Sequence, residues 1–237
     1  MGIENRIAII TGTTGGLGRV VAKKFAEEGV RLVLVSTNDA KLQQLVGELN
    51  LAEDRILGVI ADLSQPAAAK EIADKVLAKF GRIDILLHLV GGWSGGKPVV
   101  DVADEQVEYV LQRHLWTTYH LAQSFIPIMA GNHWGCILVI SSPVASQPEA
   151  NAAPYAIGKA AQEALMLTIA QEVREGGITA NMILVKTIDT SHEREQQPSE
   201  KNASWTTPEE IAATLLHLCA KESSMITGAR IPLYGGS

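Results

Sequence analysis

Short β-branched runs alternate with longer amphipathic runs along this whole chain, and that rhythm leaves few folds open. The runs Arg6–Thr11, Arg31–Ser36, Arg55–Ala61, Ile83–Val90, Gly135–Ser141, Ile178–Leu184 and Arg230–Leu233 read as strands. Several, such as Ile7-Ala8-Ile9-Ile10 and Leu32-Val33-Leu34-Val35, are apolar without alternation, as a parallel sheet covered on both faces requires. Between them lie helical patterns. Leu17–Glu28 carries Val20, Val21, Ala22 and Phe25 on one side and ends at Gly29. Asn38 or Asp39 can cap a helix through Leu49, and Thr207-Pro208-Glu209-Glu210 is a start signal for a helix through Lys221. The alternation, with right-handed crossovers, predicts an α/β fold: one doubly wound domain over residues 1–237, with a mainly parallel seven-stranded sheet and helices on both faces.

Composition narrows the function classes. The net charge of -6 argues against a nucleic-acid or acidic-membrane partner, either of which calls for a basic surface. No apolar run reaches the roughly 18 residues of a spanning helix. The start, Met1-Gly2-Ile3-Glu4-Asn5-Arg6, runs almost directly into a strand and leaves no room for a signal peptide. Gly2 is not a myristoylation signal, because Arg6 stands where Ser or Thr is required. Cys136 and Cys219 fall in apolar runs and read as small buried hydrophobes, so the expected setting is the cytoplasm. One polar stretch without apolar periodicity, Asp189–Ser204, follows the sixth strand. It reads as a solvated loop or as a mobile substrate lid, since open α/β sheets bind ligands at that end.

The turn after the first strand is Thr11-Gly12-Thr13-Thr14-Gly15-Gly16-Leu17-Gly18. Residues without Cβ there permit positive φ and let the backbone approach a pyrophosphate, which then faces the amides of a helix N-terminus. Further along, Tyr155-Ala156-Ile157-Gly158-Lys159 lies thirteen residues beyond Ser142. A free tyrosine has a pKa of about 10, too high for ready proton exchange near neutrality. A lysine four residues along the same helix stabilises the phenolate and is expected to lower that value.

The Gly-x-x-x-Gly-x-Gly spacing, with these residues in this order, resembles the short-chain dehydrogenase/reductase family over nearly the whole chain. The resemblance implies a Rossmann-like sheet, a nicotinamide cofactor, a small-molecule substrate and a homotetramer or dimer. Ser142, Tyr155 and Lys159 match the family's catalytic residues, with Ser142 on the substrate oxygen, Tyr155 as acid/base and Lys159 tuning it and binding the nicotinamide ribose. Gly12, Thr14, Gly16, Leu17 and Gly18 form the expected phosphate turn, and Asp62-Leu63 matches the aspartate segment that contacts adenine. Ser36, Thr37, Asn38, Gly91, Ile188 and Thr190 complete the expected cofactor set, together with Tyr155 and Lys159. Asn181, Ile226-Thr227-Gly228 and Gly235-Gly236 match positions in and around the last two strands. The implied activity is hydride transfer between the nicotinamide and a carbonyl or alcohol.

Ser36 ends the second strand where an acidic residue would select NAD, yet no arginine stands beside it to pair with the 2′-phosphate of NADP. The reading leans to NADP, with NAD as the alternative. Three positions depart from the family pattern. His88-Leu89-Val90-Gly91 replaces Asn-Asn-Ala-Gly, Val185-Lys186 replaces Pro-Gly, and His114 aligns with the Asn that holds a water against the lysine. His114 has a donor and an acceptor and titrates near neutrality, so it is expected either to enter the proton path or to be a satisfied polar residue. His88 reads as structural, and no metal site is expected, because His88, His114 and His120 lack a ligand face on one helix. Gly91-Gly92-Trp93-Ser94-Gly95-Gly96 and Leu115-Trp116-Thr117 look like the quinonoid dihydropteridine reductase branch, in which Trp93 would stack on a planar ring. Reduction of such a ring is the alternative activity, and a cofactor-binding sensor without turnover is the rival from another class.

Overall fold

The computed structural model describes residues 2–235, so Gly236 of the C-terminal glycine pair lies outside it. Seven parallel strands form one sheet: β1 (Ile7–Thr11), β2 (Arg31–Ser36), β3 (Ile56–Ile60), β4 (Ile85–His88), β5 (Gly135–Ser141), β6 (Ile178–Leu184) and β7 (Arg230–Pro232). Their spatial order is β3-β2-β1-β4-β5-β6-β7. The chain winds outward from β1 to β3, then returns to place β4 on the other side of β1. That reversal makes a crevice at the carboxyl ends of β1 and β4, where Thr11 pairs in register with His88.

The helices are α1 (Gly16–Glu27), α2 (Asp39–Leu49), α3 (Ala68–Phe80), α4 (Asp104–Leu111), α5 (Thr117–Gly131), α6 (Ala153–Glu172), α7 (Glu193–Gln196) and α8 (Pro208–Cys219). One core joins the first sheet face to α3, α5 and α6 through Ile72, Phe125 and Met166. The other joins the opposite face to α1, α2 and α8 through Phe25, Leu42 and Leu215. Every residue of β1, β4 and β6 is buried, which accounts for their unbroken apolar runs.

The structure trims several expected elements, β1, β3 and β7 by a residue at one or both ends and β4 and the last helix by more. The helix after Thr207 has the anticipated reciprocal cap, with Glu210 N donating to Thr207 Oγ1 and Thr207 N donating to Glu210 Oε2. It stops at Cys219 rather than Lys221 because Ala220 is extended. β4 is shorter than Ile83–Val90 at both ends. At its start the buried Asp84 carboxylate accepts from Ile7 N at 2.9 Å and pairs with Arg6 and Arg82, anchoring β1 to β4 at the end away from the crevice. At its finish Leu89 and Val90 leave the ladder and pass against Gly12.

Candidate active site

At the turn after β1, Gly12 has φ +71, and a Cβ there would come within 3.3 Å of the Leu89–Val90 backbone. Gly18, in the first turn of α1, is tighter still: a Cβ would stand 2.3 Å from Gly12 O. Glycine is therefore needed both to turn the chain and to seat α1 against its own approach. Gly16 meets Thr190, whose Cγ2 would lie 2.7 Å from an added Cβ. The segment after β6 thus closes over the start of α1. Thr13 Oγ1 donates to Val35 O, and the hydroxyls of Thr14 and Ser36 are 3.1 Å apart, tying the turn to β2.

Two clefts open along the carboxyl edge of the sheet. One of about 330 Å³ is walled by Gly12, Thr14, Ser36, Thr37, Asp62 and Leu63. A second of about 660 Å³ is walled by Leu17, His114, Ser142, Tyr155, Lys159 and Ile188. They share Leu89, Val90 and Gly91, so together they make a continuous trough across the topological switch. Glycines that exclude Cβ atoms at one end and a helix N-terminus pointing into the trough suit an extended dinucleotide. Gly16, Gly18, Asn38 and Thr190 do not line either cleft. Asn38 caps α2, its Oδ1 accepting from Lys41 N at 2.9 Å.

The Asp62 carboxyl is held below its usual range, chiefly by the Ser64 backbone N–H. Gln112 and Arg113 line the first cleft as well, and Gln112 Nε2 donates to Ser64 O at 3.0 Å. Sequence reasoning missed both, because their approach depends on a π-helical turn, Gln112–Trp116, inserted between α4 and α5. Thr117 Oγ1 and Thr118 Oγ1 each donate at 2.6 Å, to Arg113 O and His114 O respectively, capping carbonyls in that turn.

Ser142 begins a 3₁₀ turn after β5, and Tyr155 and Lys159 share the first turns of α6. Burial raises the Tyr155 phenol above its ordinary value, with a hydrogen bond to Ser142 working the other way. Burial likewise pushes the Lys159 ammonium down to about 7, opposed by the nearby Glu163 carboxylate. The expected lowering of the phenol by the lysine is therefore overturned, because burial dominates at Tyr155. Lys159 Nζ sits 5.9 Å from the Tyr155 ring centre and donates instead to Ile140 O at 2.7 Å and Gln162 Oε1 at 3.1 Å. Glu163, one turn beyond Lys159, accepts from Ser141 Oγ at 2.6 Å and pairs with Arg230 at 2.7 Å.

His114 is fully buried and packs edge-on against Tyr155, ring centres 5.7 Å apart. Its Nε2 bonds Gly92 O at 2.9 Å, which assigns the proton to Nε2 and leaves Nδ1 as an acceptor. Burial, then Lys159, lower its pKa to about 3, so the expectation that it titrates near neutrality fails. Its ring makes no hydrogen bond to Lys159, and only its carbonyl joins that network, through Thr118. Gly158 lets α6 approach this turn, since a Cβ would lie 3.0 Å from His114 Cδ2. His88 is equally dry. Thr117 spends its hydrogen on Arg113 O, so His88 Nε2–H donates to Thr117 and Nδ1 accepts from Thr11, and burial lowers its pKa to about 3. Among the described residues, no three metal-ligand side chains converge.

The glycine-rich loop after β4 is clipped to α6 by Gly96 N on Asn151 O and Tyr155 N on Ser94 O. Trp93 lines the larger cleft and remains 65% exposed. The segment Asp189–Ser204 is not structureless. Both oxygens of the buried Asp189 carboxylate accept backbone N–H groups at the start of α7, while Arg194 bonds Trp205 O and Glu210 at 2.6 Å each. Asn181, by contrast, serves the fold, its amide bonding Ile226 O and Ala229 N.

The short chain dehydrogenase family matches residues 6–201. A (2S)-[(R)-hydroxy(phenyl)methyl]succinyl-CoA dehydrogenase subunit from Thauera aromatica is 30% identical over all of this chain and 98% of that protein. A 3-oxoacyl-[acyl-carrier-protein] reductase from Escherichia coli K12 is 25% identical, with coverage of 100% and 98%. A crystal structure of a short chain dehydrogenase from Bacillus anthracis superposes with a TM-score of 0.87 at 28% identity, covering 98% of this chain and 95% of that one. With its parallel seven-stranded sheet, this chain belongs to the short-chain dehydrogenase/reductase family of NAD(P)-dependent oxidoreductases.

Proposed function

We propose that the chain reduces a carbonyl group on a small molecule, or oxidises the matching alcohol, with Tyr155 as acid/base. The observation that carries this reading is that Ser142, Tyr155 and Lys159 wall one cleft, which runs on into the glycine turn. A nicotinamide dinucleotide, when bound, supplies or takes up the hydride. In the reductive direction Tyr155 Oη gives its proton to the substrate oxygen, and Ser142 Oγ donates a hydrogen bond to the same oxygen. The raised phenol pKa keeps that proton in place until charge develops on the acceptor. The Lys159 ammonium then stabilises the phenolate left behind. His114 acts as a neutral wall that fixes the Tyr155 ring, rather than as a proton carrier.

NADP is favoured over NAD in this reading. Ser36 and Thr37 wall the first cleft at the end of β2, the position where an acidic residue would repel a 2′-phosphate. Asp189–Ser204 acts as a latched strap beside the cleft, with Thr190 set against Gly16 of the turn. A homo-oligomer is supported by α6, whose outward residues Ile157, Ala160, Ala164 and Leu167 are exposed and carry no charge. The unbonded Cys136 and Cys219 thiols, 3.6 Å apart, support a reducing compartment such as the cytoplasm. Trp93 favours a second reading, in which the substrate is planar and stacks on the exposed indole.

The test is fluorescence titration with NADH and NADPH, followed by a panel of ketones, 3-oxoacyl thioesters and a quinonoid dihydropterin. Turnover of carbonyl compounds is expected. Turnover of the pterin alone would favour the planar-ring reading. Cofactor binding without turnover of any compound would leave a sensor.

A further inference from the structure

Lys159 has three N–H donors, and the fold has already spent two of them. One goes to Ile140 O on β5 and one to Gln162 Oε1 on the next turn of α6. Gln162 is fully buried, and its far end is fixed. Its Nε2 donates to Thr118 Oγ1 at 2.9 Å, and Thr118 donates in turn to His114 O at 2.6 Å. The direction of this chain admits one orientation of the amide. Were Gln162 flipped, its NH₂ would face an ammonium, and its oxygen would face a hydroxyl whose hydrogen is already committed. An uncharged amide that does not ionise is therefore one of the two acceptors that hold the Lys159 ammonium.

Resting on the function proposed above, we infer that Gln162 is a positioning residue for that reaction, holding the Lys159 ammonium charged and aimed so that its third hydrogen faces the cleft. The amide orients the lysine without relaying its proton. Its neighbours fit the role. Tyr155 and Glu163 face Lys159 along α6, His114 from the π-helical turn and His88 from β4, while Arg230 of β7 lies behind Glu163. Both histidines are neutral, so Glu163 and the two acceptors are what keep the ammonium charged in a dry setting.

The experiment compares wild type with Gln162→Leu and Gln162→Glu. The Lys159 side chain is titrated by ¹³C NMR, its signal assigned by its loss in Lys159→Arg, and hydride transfer to the best carbonyl substrate is followed against pH. Removing the acceptor should lower the Lys159 pKa by roughly one unit, and a carboxylate should raise it by a similar amount. Reduction needs the ammonium and is lost as pH rises through that pKa. The alkaline limb should therefore move to lower pH in Gln162→Leu and to higher pH in Gln162→Glu. Turnover by the leucine variant should fall roughly tenfold at neutral pH. A merely structural glutamine would lower thermal stability in both variants and leave the limb in place. Identical Lys159 titrations in all three proteins would overturn the inference, as would ordered titrations with an unmoved activity limb. If wild type reduces nothing, the proposed function falls, and the NMR order alone decides whether Gln162 holds Lys159. Should Gln162→Leu fail to fold, Gln162→Glu carries the same decision.

Discussion

The two ends of the trough are built from different materials. The end walled by β1, β2 and β3 presents backbone, hydroxyls and glycines, and its Asp62 remains at the surface. The end at and beyond β4 presents His114 and Lys159, backed by the buried side chains of His88, Gln162 and Glu163. Backbone and hydroxyls recognise a shape and tolerate exchange as long as the chain path survives. Buried polar groups need every partner satisfied, because an unpaired one costs about 1–3 kcal/mol. The first end should therefore fail through sterics, and the second through lost partners and altered charge.

Gly18→Ala gives the largest expected effect on the first end. Its Cβ would meet Gly12 O and the Thr13 backbone, and neither can yield without moving the turn. Stability should drop by about 1–3 kcal/mol in thermal melts, and cofactor affinity should fall with it. If Gly18→Ala kept both, the turn would be looser than its contacts imply.

At the second end, His114 separates packing from proton transfer. His114→Asn, which can still donate to Gly92 O, should keep turnover within about tenfold of wild type, whereas His114→Leu, which loses that bond, should lower turnover more than cofactor affinity. The pH profile should not move in His114→Asn, since the imidazole takes up no second proton and stays neutral above about pH 3. A shifted profile would return His114 to the proton path.

The buried histidines also set acid stability. Both have folded pKa values near 3, below the 6.5 of a free imidazole, so the unfolded chain binds more protons between those limits. Their contribution is complete above about pH 6.5 and is lost as pH falls toward 3. Melting temperature should therefore decline over that window, and His88→Gln should flatten the decline. An unchanged slope would mean that His88 is hydrated.

The smallest expected effect lies in the strap. Arg194→Ala removes the bonds to Trp205 O and Glu210, which lie at the protein surface and contribute modestly. Faster proteolysis within residues 189–204 and a higher KM, with little change in melting temperature, would mark an opened strap. Unchanged proteolysis would show that Asp189 and Asn202 hold it alone.

Much of this was legible in the sequence because it follows from local rules. The unbroken apolar runs of β1 and β2, the glycine turn, and the Thr207 cap each declare themselves within a few residues. The π-helical turn did not, because Gln112–Trp116 reads as ordinary helix and is set by Thr117, Thr118 and the close approach of Gly158. The neutrality of His114 was illegible for a related reason: burial, a property of tertiary packing, decides it. Asp189–Ser204 looked structureless because its order rests on side-chain bonds to backbone rather than on apolar periodicity. Asp84 and its two arginines were likewise hidden until β1 and β4 came together.

The most direct test is Tyr155→Phe, assayed for cofactor binding and single-turnover hydride transfer in the same preparation. The phenol is assigned the proton and no share of the fold, so binding should stay within about threefold while transfer slows by roughly a thousandfold. Transfer at the wild-type rate in that variant would contradict the assignment of Tyr155 as the acid/base.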